Sequence, residues 1–315
     1  MSIIQDAMKV AIRLTPESWL PGGAPDPLMH KHGLIGKPVS RIDGPLKVEG
    51  RARFAAEVPL DGLVYASLLY STIARGRIAM LDTTEAETAP GVTLVMTYRN
   101  APRMKPPPVM MSAPKAAGPS NLPIMQNAEI HWNGQPVALV LAETQEQADH
   151  AKSLVRVTYE SESAVTSFEA AKTNARIPDN ILGEPSSIEI GDAEAALANA
   201  AFKVDRTYRT PRYNHNAIEL HAATVAWDDD QLTVHDATQM VNATAWTLAQ
   251  VFDLKEQQVR VLSPYVGGGF GGKGLWDHQM LAAAASRLSG RPVRIVLSRE
   301  GVFRVVPGGC VLDRF

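Results

Sequence analysis

The chain has 315 residues, 45% of them apolar, and a formal net charge of −2. That length can bury two domain-sized cores, and the balanced charge gives neither nucleic acid nor an anionic membrane a footing as partner. A single cysteine, Cys310, excludes a disulfide framework and any multi-cysteine metal or iron–sulfur site within these residues.

No apolar run is long enough to cross a bilayer. Met1 to Leu20 carries Asp6 and Glu17 with no evident cleavage site, so it does not read as a signal peptide. The expectation is a soluble, cytoplasmic chain, periplasmic only if it is exported with a partner.

Residues 1–32 read as an irregular arm around Trp19-Leu20-Pro21-Gly22-Gly23. Residues 33–163 are expected to form a first, α+β domain. In it, Val64 to Tyr70 is a strand candidate and Ala74-Arg75-Gly76-Arg77 a basic turn. Thr83 to Ala89 reads as a short helix, and Val92 to Tyr98 is β-rich. Residues 101–123 are rich in proline and without periodicity, which predicts a long exposed loop. Pro136 to Ala142 is unbroken apolar sequence, the pattern of a buried strand. Thr144 is placed to cap a helix running to about Leu154, with Glu146 and Gln147 in its first turn. Val155 to Tyr159 then alternates as a strand.

Residues 164–187 form a polar linker, and a second domain spans 188–306. Gly191-Asp192 leads a helix through Ala201. Lys203 to Thr210 and Asn214 to Ala226 read as strands, Asp228-Asp229-Asp230 as a turn and Leu232 to His235 as a strand. Val241 to Leu254 is helical, with Val241, Ala245, Leu248 and Phe252 on one face. After the strand Val259 to Leu262 comes Tyr265-Val266-Gly267-Gly268-Gly269-Phe270-Gly271-Gly272-Lys273-Gly274. A helix opens at Leu275, and Val293 to Leu297 is a further strand.

The glycine run is where function concentrates. Residues without side chains let main-chain amides approach a ligand closely, at an entropic cost that a purely structural loop seldom needs. Strand, glycine loop and helix in this order would aim amides and a helix N-terminus at an anion, a cofactor phosphate or oxo group. Gly267-x4-Gly272-Lys273 fits most of a P-loop, but Gly274 stands where Ser or Thr should hold magnesium. Gly269-x-Gly271-x-x-Gly274 also fits a dinucleotide fingerprint, with Glu300 as a somewhat late ribose-binding acid.

A third reading uses more of the chain. The run Gly267 to Lys273, preceded by Thr238-Gln239, resembles the large, molybdenum-binding subunit of the xanthine dehydrogenase and aldehyde oxidase family. The segments Gly36 to Ala52, Ser71 to Ile78 and Asn214 to Ala222 are similar to that subunit in the same order, over about residues 34–306. The resemblance implies an α/β hammerhead domain followed by the first part of a molybdopterin-binding α+β domain. It implies a molybdenum cofactor, in the cytosine dinucleotide form, with iron–sulfur and FAD groups on partner subunits of a heteromeric complex. Gln239 would hydrogen-bond a metal oxo group through its amide. Phe270 and Gly271 would present main-chain N–H groups to the cofactor, and Gly269 and Gly272 would let it come close. Read without the family, Gln239 is a surface glutamine at a helix start and Phe270 a core aromatic capping a turn.

The family hydroxylates a carbon next to oxygen or nitrogen with water as oxygen source, and its base glutamate lies far downstream of these positions. Its purine-oxidising branch has a glutamate directly after Gly-Gly-Lys. Gly274 here points instead to an aldehyde or another small substrate. Lys273 is expected to be solvated. Glu219, His221 and His215 would share a strand face, open either to a metal or, by default, to hydrogen bonding. Residues 307–315 diverge from the family, whose subunit is more than twice as long. Truncation or frameshift is the simplest account and a separately encoded second half another, with the expectation that 188–306 exposes an apolar face that the absent half would cover. The rival functions are a silent remnant or assembly fragment and a nucleotide-binding protein using the glycine loop.

Overall fold

The computed structural model describes Val10 and residues 37–110, 112–181, 184–209, 214–305 and 312–314. The N-terminal arm, Val10 apart, and most of the divergent tail, with Cys310, lie outside the described residues. Strands in chain order are β1 Val64–Tyr70, β2 Gly76–Asp82, β3 Val92–Thr97, β4 Glu129–Ile130, β5 Pro136–Ala142 and β6 Arg156–Ser161. They continue with β7 Asn180–Ile181, β8 Glu184–Pro185, β9 Thr207–Arg209, β10 Ala222–Asp228, β11 Gln231–Asp236, β12 Val259–Leu262, β13 Val293–Val296 and β14 Leu312–Arg314. The α-helices are α1 Gly44–Val48, α2 Thr84–Glu87, α3 Gln145–Leu154, α4 Phe168–Lys172, α5 Ala193–Asn199, α6 Val241–Phe252, α7 Asp277–Ser289 and α8 Arg299–Val305.

Two compact units result. The smaller takes Met1–Ala52, Ile177–Arg206 and Phe315. It holds α1, the β7–β8 pair and α5, whose N-cap Asp192 accepts from the Ala195 N–H at 2.8 Å. The larger, Arg53–Arg176 with Thr207–Arg314, carries the main core.

That core is built on a seven-stranded mixed sheet in the order β12-β11-β10-β13-β1-β5-β3. β5 sits between two antiparallel neighbours and every one of its residues is buried, as its unbroken apolar sequence requires. Thr144 caps α3 as expected, and Gln147 answers with its side chain to complete a capping box. α3 packs on β1 and β5, while the alanine-rich α7 packs on β10 and β13. Strands from residues 33–163 and from 188–306 share this one sheet. They meet where β1 runs parallel to β13, Val64 opposite Val293 and Ala66 opposite Ile295. β2, β4 and β6 form a second, three-stranded sheet.

Two local expectations need correction. The proline-rich segment is not an exposed loop. Met104, Ala116 and Ala117 are buried, the Ala117 N–H donates to Thr247 Oγ1 at 2.9 Å, and Lys105 N–H donates to the Val251 carbonyl at 2.9 Å. Prolines break periodicity without preventing burial, so this stretch covers α6. Residues 214–221 are also not strand: pairing with β11 and β13 begins only at Ala222 and Ala223. The main chain before that is drawn instead to the glycine loop, with Glu219 N–H donating to the Gly267 carbonyl at 3.3 Å.

Candidate functional site

β11 and β12 run parallel and side by side, so the chain leaves both at the same end of the sheet. Residues 237–240 and the loop 263–276 therefore emerge together. Ser263 Oγ donates to the Thr238 carbonyl at 3.0 Å and accepts from the Thr238 N–H at 3.2 Å. Gln239 N–H donates to the Lys273 carbonyl at 2.8 Å. These bonds lay Gln239 across the glycine loop.

Its carboxamide then meets the bare main chain. Oε1 accepts from the Gly271 N–H at 3.2 Å. A Cβ on Gly269 would stand 2.3 Å from both Cδ and Oε1 of Gln239, so only glycine lets the two approach. Gln239, Phe270 and Gly271 are exposed, whereas Gly269 and Gly272 beneath them are buried. With Oε1 committed to Gly271, the group of Gln239 left to donate is its NH2, a neutral donor. Of the two amides expected to face the cofactor, that of Gly271 is therefore taken by Gln239. Phe270 is not a core aromatic: its φ is 53° and its residue is 71% exposed.

Under the loop lies a polar layer. Lys273, expected in solvent, is 0% exposed, and its Nζ lies 2.5 Å from Glu219 Oε2. His221 Nε2 lies 2.8 Å from the Gly272 carbonyl, which also accepts from Trp276 Nε1 at 2.8 Å. A carbonyl only accepts, so His221 donates through Nε2, and its buried Nδ1 has no partner among the described residues. Burial pushes the His221 pKa down to about 4. The metal alternative for Glu219 and His221 gives way to hydrogen bonding, and among the described residues no group of acidic, histidine or cysteine side chains is arranged to hold a metal ion.

His278, unnoticed in the sequence, packs edge-on against His221 with ring centroids 5.9 Å apart. It is 1% exposed, both ring nitrogens lack partners among the described residues, and burial holds its pKa well below the ordinary value. A histidine in the first turn of an alanine-rich helix gives no local sign of such burial.

The helix terminus does not serve the loop as expected. α7 begins only at Asp277, and Gln279 Oε1 accepts from the Trp276 N–H at 2.8 Å. Asp277 puts its own carboxyl at that end, 5% exposed and pushed up to about 7 by burial. Nor do the nucleotide patterns find their chemistry. Lys273 is sealed from any phosphate, and Glu300 lies in α8, bonded to Arg304 at 2.7 Å rather than closing a strand.

What the structure brings together is an exposed carboxamide donor on a main-chain cradle cleared of Cβ atoms. A metal-bound oxo group fits that pairing, since it needs a neutral donor and close backbone approach. The fold is that of a molybdenum hydroxylase large subunit.

Comparison with known proteins fixes the family. Residues 173–309 match the family model of the molybdopterin cofactor-binding domain. Residues 49–163 match that of the aldehyde oxidase and xanthine dehydrogenase a/b hammerhead domain. The chain is 37% identical over 273 residues to the aldehyde oxidoreductase molybdenum-binding subunit PaoC of Escherichia coli K12, covering 85% of this chain and 35% of that protein. It is 28% identical over 271 residues to the nicotinate dehydrogenase large molybdopterin subunit of Eubacterium barkeri, with 85% and 62% covered. Among solved structures, quinoline 2-oxidoreductase from Pseudomonas putida 86 superposes with a TM-score of 0.71 at 29% identity, over 84% of this chain and 35% of that one. Aldehyde oxidoreductase from Desulfovibrio gigas shares the fold, with a TM-score of 0.70 at 24% identity over 86% and 31%. The chain belongs to the xanthine dehydrogenase and aldehyde oxidase family and corresponds to the N-terminal part of its molybdenum-binding subunit. It spans about a third of the length of PaoC. No helix among the described residues is long and apolar enough to cross a membrane.

Proposed function

We propose that this chain supplies one wall of the molybdenum site of an oxidoreductase that hydroxylates aldehydes or N-heterocycles with water as oxygen source. The observation that carries the reading is the exposed Gln239 carboxamide pressed onto Gly269 and Gly271, with Oε1 taken by the Gly271 N–H and the NH2 left as its donor. When bound, the cofactor supplies the two-electron oxidation of the substrate carbon. Gln239 would donate to an oxo group and orient it without adding charge. Gly269, Phe270, Gly271 and Gly272 would form the cradle beneath, Gly271 acting by fixing Gln239.

The base glutamate has no counterpart among these residues, so proton removal falls to groups outside them. Gly274 places no carboxylate after Lys273, and PaoC is named an aldehyde oxidoreductase; both favour aldehydes over purines. The cytosine dinucleotide form of the cofactor, and iron–sulfur and FAD subunits as electron acceptors, complete the proposal. Residues 33–163 are taken as the hammerhead domain, 164–187 as linker and 188–306 as the first cofactor-binding subdomain.

The test is molybdenum and pterin content of the full chain, purified from a host that makes the cofactor. Wild type should retain both, and Gln239→Ala should lose most of each while melting normally. A folded wild-type chain without molybdenum or pterin would overturn the reading and leave a silent fragment.

A further inference from the structure

We infer that Glu219 and Lys273 are a positioning pair that fixes the glycine loop and, through it, the Gln239 carboxamide; this rests on the reading of Gln239 given above. One oxygen ties both ends of the loop. Glu219 Oε2 accepts from the Gly267 N–H at 2.6 Å and from Lys273 Nζ at 2.5 Å. The Glu219 N–H in turn donates to the Gly267 carbonyl at 3.3 Å. A Cβ on Gly267 would lie 2.6 Å from the Glu219 Cβ, so the loop's first glycine is what admits the carboxylate.

The far end continues to the site. The carbonyl of Lys273 accepts from the Gln239 N–H at 2.8 Å and from Thr238 Oγ1 at 3.3 Å. Main chain at Gly267, Lys273 and Gln239 is thereby held in one frame, and the carboxamide is carried on that frame.

Stability alone does not account for the pair. A fully buried lysine must be desolvated, and well-packed apolar replacements of a buried ion pair are often neutral or stabilising. Among the described residues Glu219 Oε1 is buried without a partner, a further cost that packing could have avoided. What an apolar pair could not do is accept the Gly267 N–H and hold Lys273 at the same atom. The pair therefore trades stability for a fixed loop.

The experiment compares the full wild-type chain with Glu219→Leu/Lys273→Met and with Glu219→Gln, taking Gln239→Ala as reference. Three quantities are read: melting temperature, hydrogen exchange of the peptide covering residues 264–275, and molybdenum per chain. The double variant should melt within a few degrees of wild type, exchange its loop amides about tenfold faster, and lose molybdenum as Gln239→Ala does. A merely structural pair would leave loop exchange unchanged once stability is restored, and that result would overturn the inference. If the double variant does not fold, Glu219→Gln decides. It leaves the buried Lys273 charge without its carboxylate and lowers the melting temperature as well. Exchange in the 264–275 peptide should rise beyond what that global loss accounts for, and no such excess would overturn the inference.

The two readings fail separately. Wild type without molybdenum sinks the proposed function, while loop exchange still judges the pair. Fast loop exchange with full molybdenum shows that the pair holds the loop but does not position Gln239, and overturns the inference alone.

Discussion

Substituting Gly269 by alanine tests the contact on which the site is built. The new Cβ would lie 2.3 Å from Cδ and Oε1 of Gln239, yet Gly269 is not in the left-handed region and its backbone accepts alanine. The clash is with the far end of an exposed side chain, so Gln239 swings out rather than the fold giving way. Lost is the hydrogen bond from the Gly271 N–H, worth about 1 kcal/mol. Gained is the reduced freedom of the unfolded chain, about 0.4–1 kcal/mol for glycine to alanine at a compatible site. Gly269→Ala should therefore change stability by less than ~1 kcal/mol in the wild-type background. In a Gln239→Ala background only the gain remains, and the same substitution becomes stabilising. Urea denaturation of the four proteins gives a coupling energy of about 1 kcal/mol between the two positions. Additive effects would show that the carboxamide does not rest on Gly269, and the site as drawn would fall with them.

Three further outcomes follow from buried groups. Asp277 is held protonated up to about pH 7 by burial, while its unfolded counterpart ionises near 3.8. Its contribution to stability is thus complete below that lower value and lost as pH rises to 7. Asp277→Asn should remove this loss, gaining ~4 kcal/mol over wild type between pH 4 and 8 in denaturant titrations. His278→Leu replaces two orphaned ring nitrogens with carbon and should raise stability by ~1–2 kcal/mol at pH 7. Because the folded histidine resists protonation, the gain should widen as pH falls below 6.5; a shrinking gain would show that the ring is charged. Thr247→Val orphans the buried Ala117 N–H and should cost ~1–3 kcal/mol. Limited proteolysis should then cut residues 103–120 sooner than in wild type.

What could be read from the chain was what local chemistry dictates. Seven consecutive apolar residues made β5 a central strand, and Thr144 with Gln147 announced the start of α3. The meeting of Gln239 with the loop was legible only through family resemblance, because their contact depends on two parallel strands ending side by side. Lys273 looked solvated for the same reason: its partner, Glu219, lies far upstream, and a lysine among glycines carries no local sign of a buried carboxylate. Residues 214–221 alternate like a strand, but the glycine loop claims main-chain groups there, and alternation alone cannot say which neighbour wins. The segment 101–123 misled by composition, since its few apolar side chains are spaced by prolines rather than by any helical or strand period.

The seam where β1 lies alongside β13 bears on how this chain could ever be divided. Cutting within 164–187 would separate the hammerhead from the cofactor-binding half on paper, yet would strip each piece of a neighbour in the middle of a continuous ladder. Both fragments would bare unpaired edges built for one another, open to self-association. Evolution or engineering that moves one half without the other must therefore first provide a substitute strand.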